Sequence, residues 1–534
     1  MHWRFRFFCH QASRPRGWMA WLCAVLICPV PAIVGQTVTC TVLPLPPATE
    51  ADRAYSEERY ADAEHLYAQA FAQRPQDTEL AAAWVHTLLH EGAVAEAAAQ
   101  VTAILPKNPD SAITLTALAE VQLAQGQPWL ALRTLNEAAA SDPCYARVHL
   151  IRSRVLRIDS MYSSERAEIQ RAYDLDPADP EIEHAWKEIV SAAHEIESID
   201  RSIATANDLD PRTREAVAAS TRSLMSRLSE NSQTCQIQPA ATSGNLPLVP
   251  VIDDKVHHVY RYDLKVQLPR SQAKLVLDTT TSGLYISRAL AEQNGLHRRS
   301  GDPEGTVHLD SVYIGPFEFR DCTAGVSDVP FAGNLDGFIG TDIFASYLIT
   351  IDYRWARLTL TPLPPRPGLL PGDRFVTPEL RDFIPLYHRR QYLLLPIVFK
   401  NGSRELFALG TAMPYTAMTS EVANLVSDQK QNVTDFEKTS SGSKARFYRT
   451  KFDFQFARLP LIQRRRILEF DLSAVDRLAG FQVAGLLGLD ILHSLALHLD
   501  YRDGLAKFEL RDEDLVAPQT NGTEHTFIIG AEQQ

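Results

Sequence analysis

Residues 275–287 read LVLDTTTSGLYIS, and residues 407–419 read FALGTAMPYTAMT, the same plan repeated 132 positions later. Each is an apolar run that ends in a polar turn, and each leads into a helix-like segment, SRALAEQ from Ser287 and TSEVANL from Thr419. Each copy also closes on a matched stretch: DGFIGTDIFASYLITIDYRWARLTL from Asp336, and AGLLGLDILHSLALHLDYRDGLAKFEL from Ala484. The first copy carries Asp278 at the head of its turn. The second carries Gly410 there.

The sequence around both copies alternates apolar and polar residues in short runs bounded by Gly, Pro and Asp, as in YRYDLKVQL, TVHLDSVYIG and YLLLPIVF. Such period-two patterning, rich in Val, Ile, Leu and Tyr, predicts strands. Two mostly-β lobes are expected, at 255–362 and 383–512. The Pro-rich stretches 233–254 and 363–382 read as linkers, and 513–534 as a C-terminal tail.

The pieces Leu275-Val276-Leu277-Asp278-Thr279, Ser282-Gly283 and Phe338-Ile339-Gly340 with Asp342, echoed by Leu486-Leu487-Gly488 with Asp490, resemble a retropepsin-type aspartic protease unit. The tandem resembles the bilobal pepsin-like plan. The resemblance implies that Asp278 is one catalytic acid, that Thr279 and Thr411 brace the two loops, and that Gly410 stands where the second acid belongs. It also implies that Thr280, Ser282, Gly283, Gly340 and Gly488 frame or line the peptide-binding loops. Thr280 and Ala412 replace the glycine that follows the threonine in the family, so a Cβ threatens the turn there.

The chemistry of such a site needs two carboxylates sharing one proton, one acting as base on water while its partner serves as acid. With Gly410 in the second lobe, activity would require a dimer, weak catalysis by Asp278 alone, or another acid. Asp336, Asp342, Asp490 and Asp500 are the candidates for such an acid. Asp342 and Asp490 follow the framing glycine and read as helix N-caps, while Asp352 and Asp500 read as strand or turn residues.

The N-terminal half has a different period. Pro75, Pro109, Pro143, Pro177 and Pro211 follow one another at intervals of 34 residues. Tyr60, Ala63, Tyr67 and Ala70 before Pro75, and Gly126, Ala131, Leu135 and Ala138 before Pro143, sit where paired helices need small or apolar contacts. Residues 48–232 therefore resemble a tetratricopeptide-repeat solenoid, with a capping helix after Pro211. Solenoids of this kind present a concave groove to peptides or protein partners.

The remaining features bound the function. Arg4, Arg6, Arg14 and Arg16 precede the apolar run WMAWLCAVLICPVPAIVG from Trp18, so residues 1–35 read as a cleaved signal peptide or a membrane anchor. An exported, periplasmic, secreted or cell-envelope location follows, with the membrane reached only through that segment. The net charge of −12 excludes a general nucleic-acid binder, which needs a basic patch. None of the seven cysteines has metal-ligand spacing, so no metal or cofactor is expected. Cys40, Cys144, Cys235 and Cys322 remain beyond the targeting segment, and their spacing reveals no pairing. Three functions compete: a catalytically impaired protease-like protein that binds extended peptides or protein partners, an active aspartic endopeptidase with a non-standard second acid, and a pure scaffold.

Overall fold

The computed structural model describes Cys40, residues 48–205, parts of 210–228, residues 235–237, 243–253, 258–329, 331, 335–368, 370–426, 431–438 and 444–511. The targeting segment, the C-terminal tail and most of the expected capping helix lie outside these residues. No helix among the described residues is long and apolar enough to cross a membrane.

The 34-residue period becomes a stack of helix pairs: α1 (Glu50–Ser56) with α2 (Tyr60–Gln73), α3 (Thr78–His90) with α4 (Val94–Ile104), α5 (Ala112–Ala124) with α6 (Pro128–Ser141), and α7 (Ala146–Ile158) with α8 (Tyr162–Leu175). A fifth unit opens with α9 (Pro180–Ala185) and continues through a π-helical turn into Ser191–Thr205. Ala63, Ala97 and Ala131 are fully buried at equivalent positions, so the paired backbones approach closely. Tyr67, Val101, Leu135 and Ile169, again 34 apart, fill the space between pairs. Pro75, Pro143 and Pro177 each stand two residues past the end of a second helix, where a missing N–H no longer costs an intrahelical bond.

The C-terminal half builds the same crossing twice. In the first lobe the strand Gln272–Asp278 runs parallel to Gly337–Gly340, which also pairs antiparallel with Leu284–Ser287. In the second lobe Arg404–Leu409 runs parallel to Gly485–Leu487, which pairs antiparallel with Ala417–Met418. Residues 278–283 and 410–416 are thereby the connections between two strands lying on either side of a third. Tyr347–Asp352 of the first lobe pairs with Leu495–Asp500 of the second, so one continuous sheet ties the lobes together. The second lobe carries a further strand, Gln431–Lys438, paired with Lys444–Gln455, whereas residues 295–305 of the first lobe hold no strand.

Both expected linkers are part of the fold. Within 233–254, the segment Gly244–Asp253 is a strand paired with Arg357–Pro362 and His258–Gln267, and Gln236–Ile237 pairs with Phe317–Ser327. Leu246 and Leu248 face the core while Pro247 points outward, so the prolines that suggest a linker mark an exposed face. Within 363–382, Arg366 and the Phe375 amide bond Asp503, and Leu380 is buried. Two disulfides form, Cys40–Cys144 and Cys235–Cys322.

The helical array packs on the second lobe. Gly126, in the α5–α6 turn with φ +72°, leaves no room for a side chain: a Cβ there would lie 2.1 Å from the Gln482 carbonyl oxygen. The Gln482 amide donates to the Ala124 carbonyl at 2.8 Å. The Arg404 guanidinium lies 4.2 Å over the Trp129 ring. Arg374 bonds Asp159, and Asp373 accepts from the Ser164 amide and hydroxyl.

Candidate functional site

The two crossing loops meet at a pair of threonines. The Thr279 amide donates to Thr411 Oγ1 at 2.9 Å, and the Thr411 amide donates to Thr279 Oγ1 at 3.2 Å. Each hydroxyl then donates across the pseudo-twofold axis, Thr279 to the Leu409 carbonyl at 2.6 Å and Thr411 to the Leu277 carbonyl at 3.0 Å. All four bonds are buried, where an unmade bond is costly. This lock fixes the position of the residue just before each threonine.

Asp278 precedes the first threonine and is 5% exposed. Its Oδ1 accepts from the Thr280 amide and hydroxyl, both at 2.8 Å, and its Oδ2 accepts from the Thr281 hydroxyl at 2.7 Å. Thr280 thus supplies the amide expected from the missing glycine. It lies outside the left-handed region, so its Cβ distorts nothing, and the same holds for Ala412. Burial pushes the Asp278 carboxyl above its usual range, against the opposing bonds from Thr281 and Thr280.

Gly410 occupies the opposite position. Its amide donates to the Leu487 carbonyl at 2.9 Å, and its carbonyl accepts from the Met413 amide at 3.0 Å. A Cβ built on it would lie 3.2 Å from Met413 Cγ, so the Met413 side chain stands beside the place of a second acid.

None of the four candidate replacement acids bonds Asp278. Asp336 accepts from the Lys274 amide. Asp342 accepts from the Gly283 amide and the Ser282 hydroxyl, and Asp490 from the Thr416 amide and hydroxyl. These two are struts that hold the far end of each loop, and the N-cap positions of the short helices fall to Gly340 and Gly488. Burial raises Asp342 to about 6. Asp500 accepts from the Arg502 and Asp503 amides and is also raised to about 6, by burial and then by Asp503. Asp352 accepts from the Trp355 amide in a turn.

The glycines have packing roles. A Cβ at Gly340 would lie 2.3 Å from the Thr281 carbonyl oxygen, and one at Gly488 would lie 2.4 Å from that of Tyr415. Gly283 adopts φ +61°. Ser282, Gly283 and Gly340 therefore form one unit with Asp342, and Gly488 forms one with Thr416 and Asp490, whose Thr416 hydroxyl accepts from the Gly488 amide.

Sequence reasoning overlooked four residues. The Thr281 hydroxyl completes the cage of Asp278. Thr341 hydrogen bonds the Tyr501 hydroxyl in the opposite lobe. Tyr353, the counterpart of Tyr501, has a buried hydroxyl that lies toward Thr411 without a well-formed bond, because Leu489 stands where Thr341 stands in the first copy. The repeated Asp-Tyr pairs at 352–353 and 500–501 were the available signal. Among the described residues, no three His, Cys, Asp or Glu side chains are placed to hold a metal ion.

The family model described as tetratricopeptide repeat matches residues 54–117. No curated protein matches the chain significantly. Among solved structures, a thermophilic TPR protein of Thermus thermophilus is 22% identical, with a TM-score of 0.24 over 32% of this chain and 94% of that one. MamA is 13% identical, with a TM-score of 0.21 over 34% of this chain and 95% of that one. An aspartic proteinase from Irpex lacteus is 11% identical, with a TM-score of 0.30 over 50% of this chain and 97% of that one. The chain joins an N-terminal tetratricopeptide-like helical region to a mostly-β C-terminal domain that resembles an aspartic proteinase.

Proposed function

We propose that this is an exported binding protein that retains the two-lobed frame of an aspartic protease without its dyad, and that it holds extended peptide segments or protein partners. The observation that carries this reading is the contrast across the threonine lock. Asp278 has both oxygens engaged by Thr280 and Thr281, while Gly410 presents no acid and Met413 lies beside it. A lone buried carboxyl whose acceptor sites face its own loop has no partner with which to share a proton, so the base-and-acid division of labour is lost. Main-chain pairing with sheet edges supplies a way to hold peptides that needs neither acid. The two disulfides support an oxidising compartment.

The test is a diverse peptide library incubated with the protein from acid to neutral pH, beside Asp278→Asn, with cleavage and retention both read by mass spectrometry. Retention without cleavage, equal in both proteins, is the expected result. Cleavage that disappears in Asp278→Asn would establish an active endopeptidase instead, the alternative that the intact lock favours.

A further inference from the structure

The turn between the strands Leu495–Asp500 and Leu505–Leu510 is where the repeat array, the segment 363–382 and the second lobe come together. Asp500 opens that turn, and its Oδ1 accepts from the Arg502 amide at 2.9 Å and the Asp503 amide at 3.1 Å. The carboxyl thereby shapes the peptide units that follow. Gly504, with φ +58°, packs so closely on the α7–α8 turn that a Cβ there would lie 2.3 Å from the Ser160 hydroxyl oxygen. The Asp503 carbonyl accepts from Arg374, whose guanidinium also bonds the carbonyl and the carboxylate of Asp159, just past α7.

The charges around this turn are unevenly matched. Asp503 is fully buried and is bonded by Arg366 at 2.9 Å, by Arg502 at 2.8 Å and by the Phe375 amide at 3.0 Å. Asp500 is 1% exposed, and its Oδ2 has no hydrogen-bond partner among the described residues. The other charged groups that face the turn are engaged elsewhere. Arg374 bonds Asp159, Asp373 bonds Ser164, Arg166 of α8 lies near Asp373 and Arg366, and the His388 ring rests against Tyr501. The duplication supplies an internal comparison. Asp352 ends the matching strand of the first lobe, and there Arg511 stands 3.4 Å from Oδ2.

A buried carboxyl beside a second acid, with one oxygen unsatisfied, favours its neutral form. Burial and then Asp503 push Asp500 up to about 6. The array supplies part of that cover, since Ser160 and Asp159 lie against the same turn.

We propose that the seat of the repeat array on the second lobe is proton-linked through Asp500, taking up a proton as it closes and loosening when that proton is lost. A carboxyl that is neutral under cover and charged in the open favours the closed seat at acid pH and the open one toward neutral pH. The acidity of the surroundings then sets how firmly the helical half is held.

Amide hydrogen exchange of the full chain at pH 5 and pH 7, corrected for intrinsic rates, tests this. Peptides that cover the α7–α8 turn and residues 363–382 should exchange about tenfold faster at pH 7. Asp500→Asn keeps an amide-accepting oxygen and stays neutral, so it should hold the seat closed at pH 7 and erase the difference. Asp342→Asn, which removes the other carboxyl pushed up to about 6, should leave the difference intact. Titration of His86 weakens the array toward acid, the opposite sense, so it does not imitate the expected result. Equal exchange of the seat at both pH values in the parent protein overturns the proposal, whether or not the variants fold. So does an Asp500→Asn protein that keeps the parent's pH response, or an Asp342→Asn protein that loses it.

Discussion

Thr279 and Thr411 each accept the other's amide proton and each donate to the strand that carries the other, so the two lobes share one buried square of hydrogen bonds. The square is complete although Asp278 precedes one threonine and Gly410 the other. Its role in this chain is the junction of the lobes.

Thr411→Val keeps the shape and removes the hydroxyl, leaving the Thr279 amide and the Leu277 carbonyl unpaired. A loss of about 2–6 kcal/mol is expected, from two buried groups at roughly 1–3 kcal/mol each, read as a lower urea midpoint. Thr279→Val should cost a similar amount. The double variant should cost clearly less than the sum, since both changes break one network. Strict additivity would mean that the square is not cooperative.

Gly410→Asp restores the second acid. The nearest atoms to its Cβ include those of Met413, at 3.2 and 3.4 Å, and a flexible thioether can give way. Peptidase activity at acid pH should appear, at least about 100-fold above the parent, the scale of a positioned acid–base group. Adding Asp278→Asn should abolish it. If Gly410→Asp folds and still cleaves nothing, Met413→Ala in the same background distinguishes a blocked acid from a loop cage that keeps Asp278 inert.

The two halves should respond oppositely to acid. Burial raises Glu120, but Arg147 and His86 outweigh it and bring it down to about 2, so its contribution is present above its ordinary 4.5 and fades as pH falls toward 2. His86 is lowered by burial and then by Arg147, so the fold loses stability as pH drops below 6.5 and the unfolded chain takes up a proton that the folded one refuses. Asp342 and Asp500 are raised to about 6, so their protonation favours the folded lobes as pH falls from 6 toward 3.8. Region-resolved hydrogen exchange between pH 7 and pH 4 should show the helical array losing protection first. Loss in the lobes before the array would contradict this assignment.

Tyr353 and Tyr501 are equivalent in sequence and unequal in bonding. Tyr353→Phe removes a buried hydroxyl that has no well-formed bond and should be neutral or stabilising by up to about 1 kcal/mol. Tyr501→Phe strands the buried Thr341 hydroxyl and should destabilise by about 1–2 kcal/mol. Thermal melts of the two variants decide the point, and equal losses would count against the difference.

The repeated elements are legible because periodicity reports burial directly. The interval of 34 between prolines announces the helix pairs, and the offset of 132 announces the twin crossings and the pairing of Asp278 with Gly410. Residues 244–253 read as a linker because Pro247 and Pro250 resemble linker composition, although strand register puts Pro247 on the exposed side and Leu246 and Leu248 on the other. Asp342 and Asp490 look like caps in sequence because their true partners lie 60 and 74 residues away. The threonine cage of Asp278 is within reach, since three threonines follow it directly. The bond from the Tyr55 hydroxyl to Glu181 is not: a contact over 126 residues depends on the accumulated rotation of five repeats, which no single repeat encodes.

The seating of Gly126 against Gln482, with Trp129 beside Arg404 and Ser164 bound to Asp373, gives the array a direct connection to the second lobe and to the segment 363–382 between the lobes. A load applied to the repeats enters the second lobe through these anchors and passes to the first lobe through the shared sheet, the threonine square and the Thr341–Tyr501 bond.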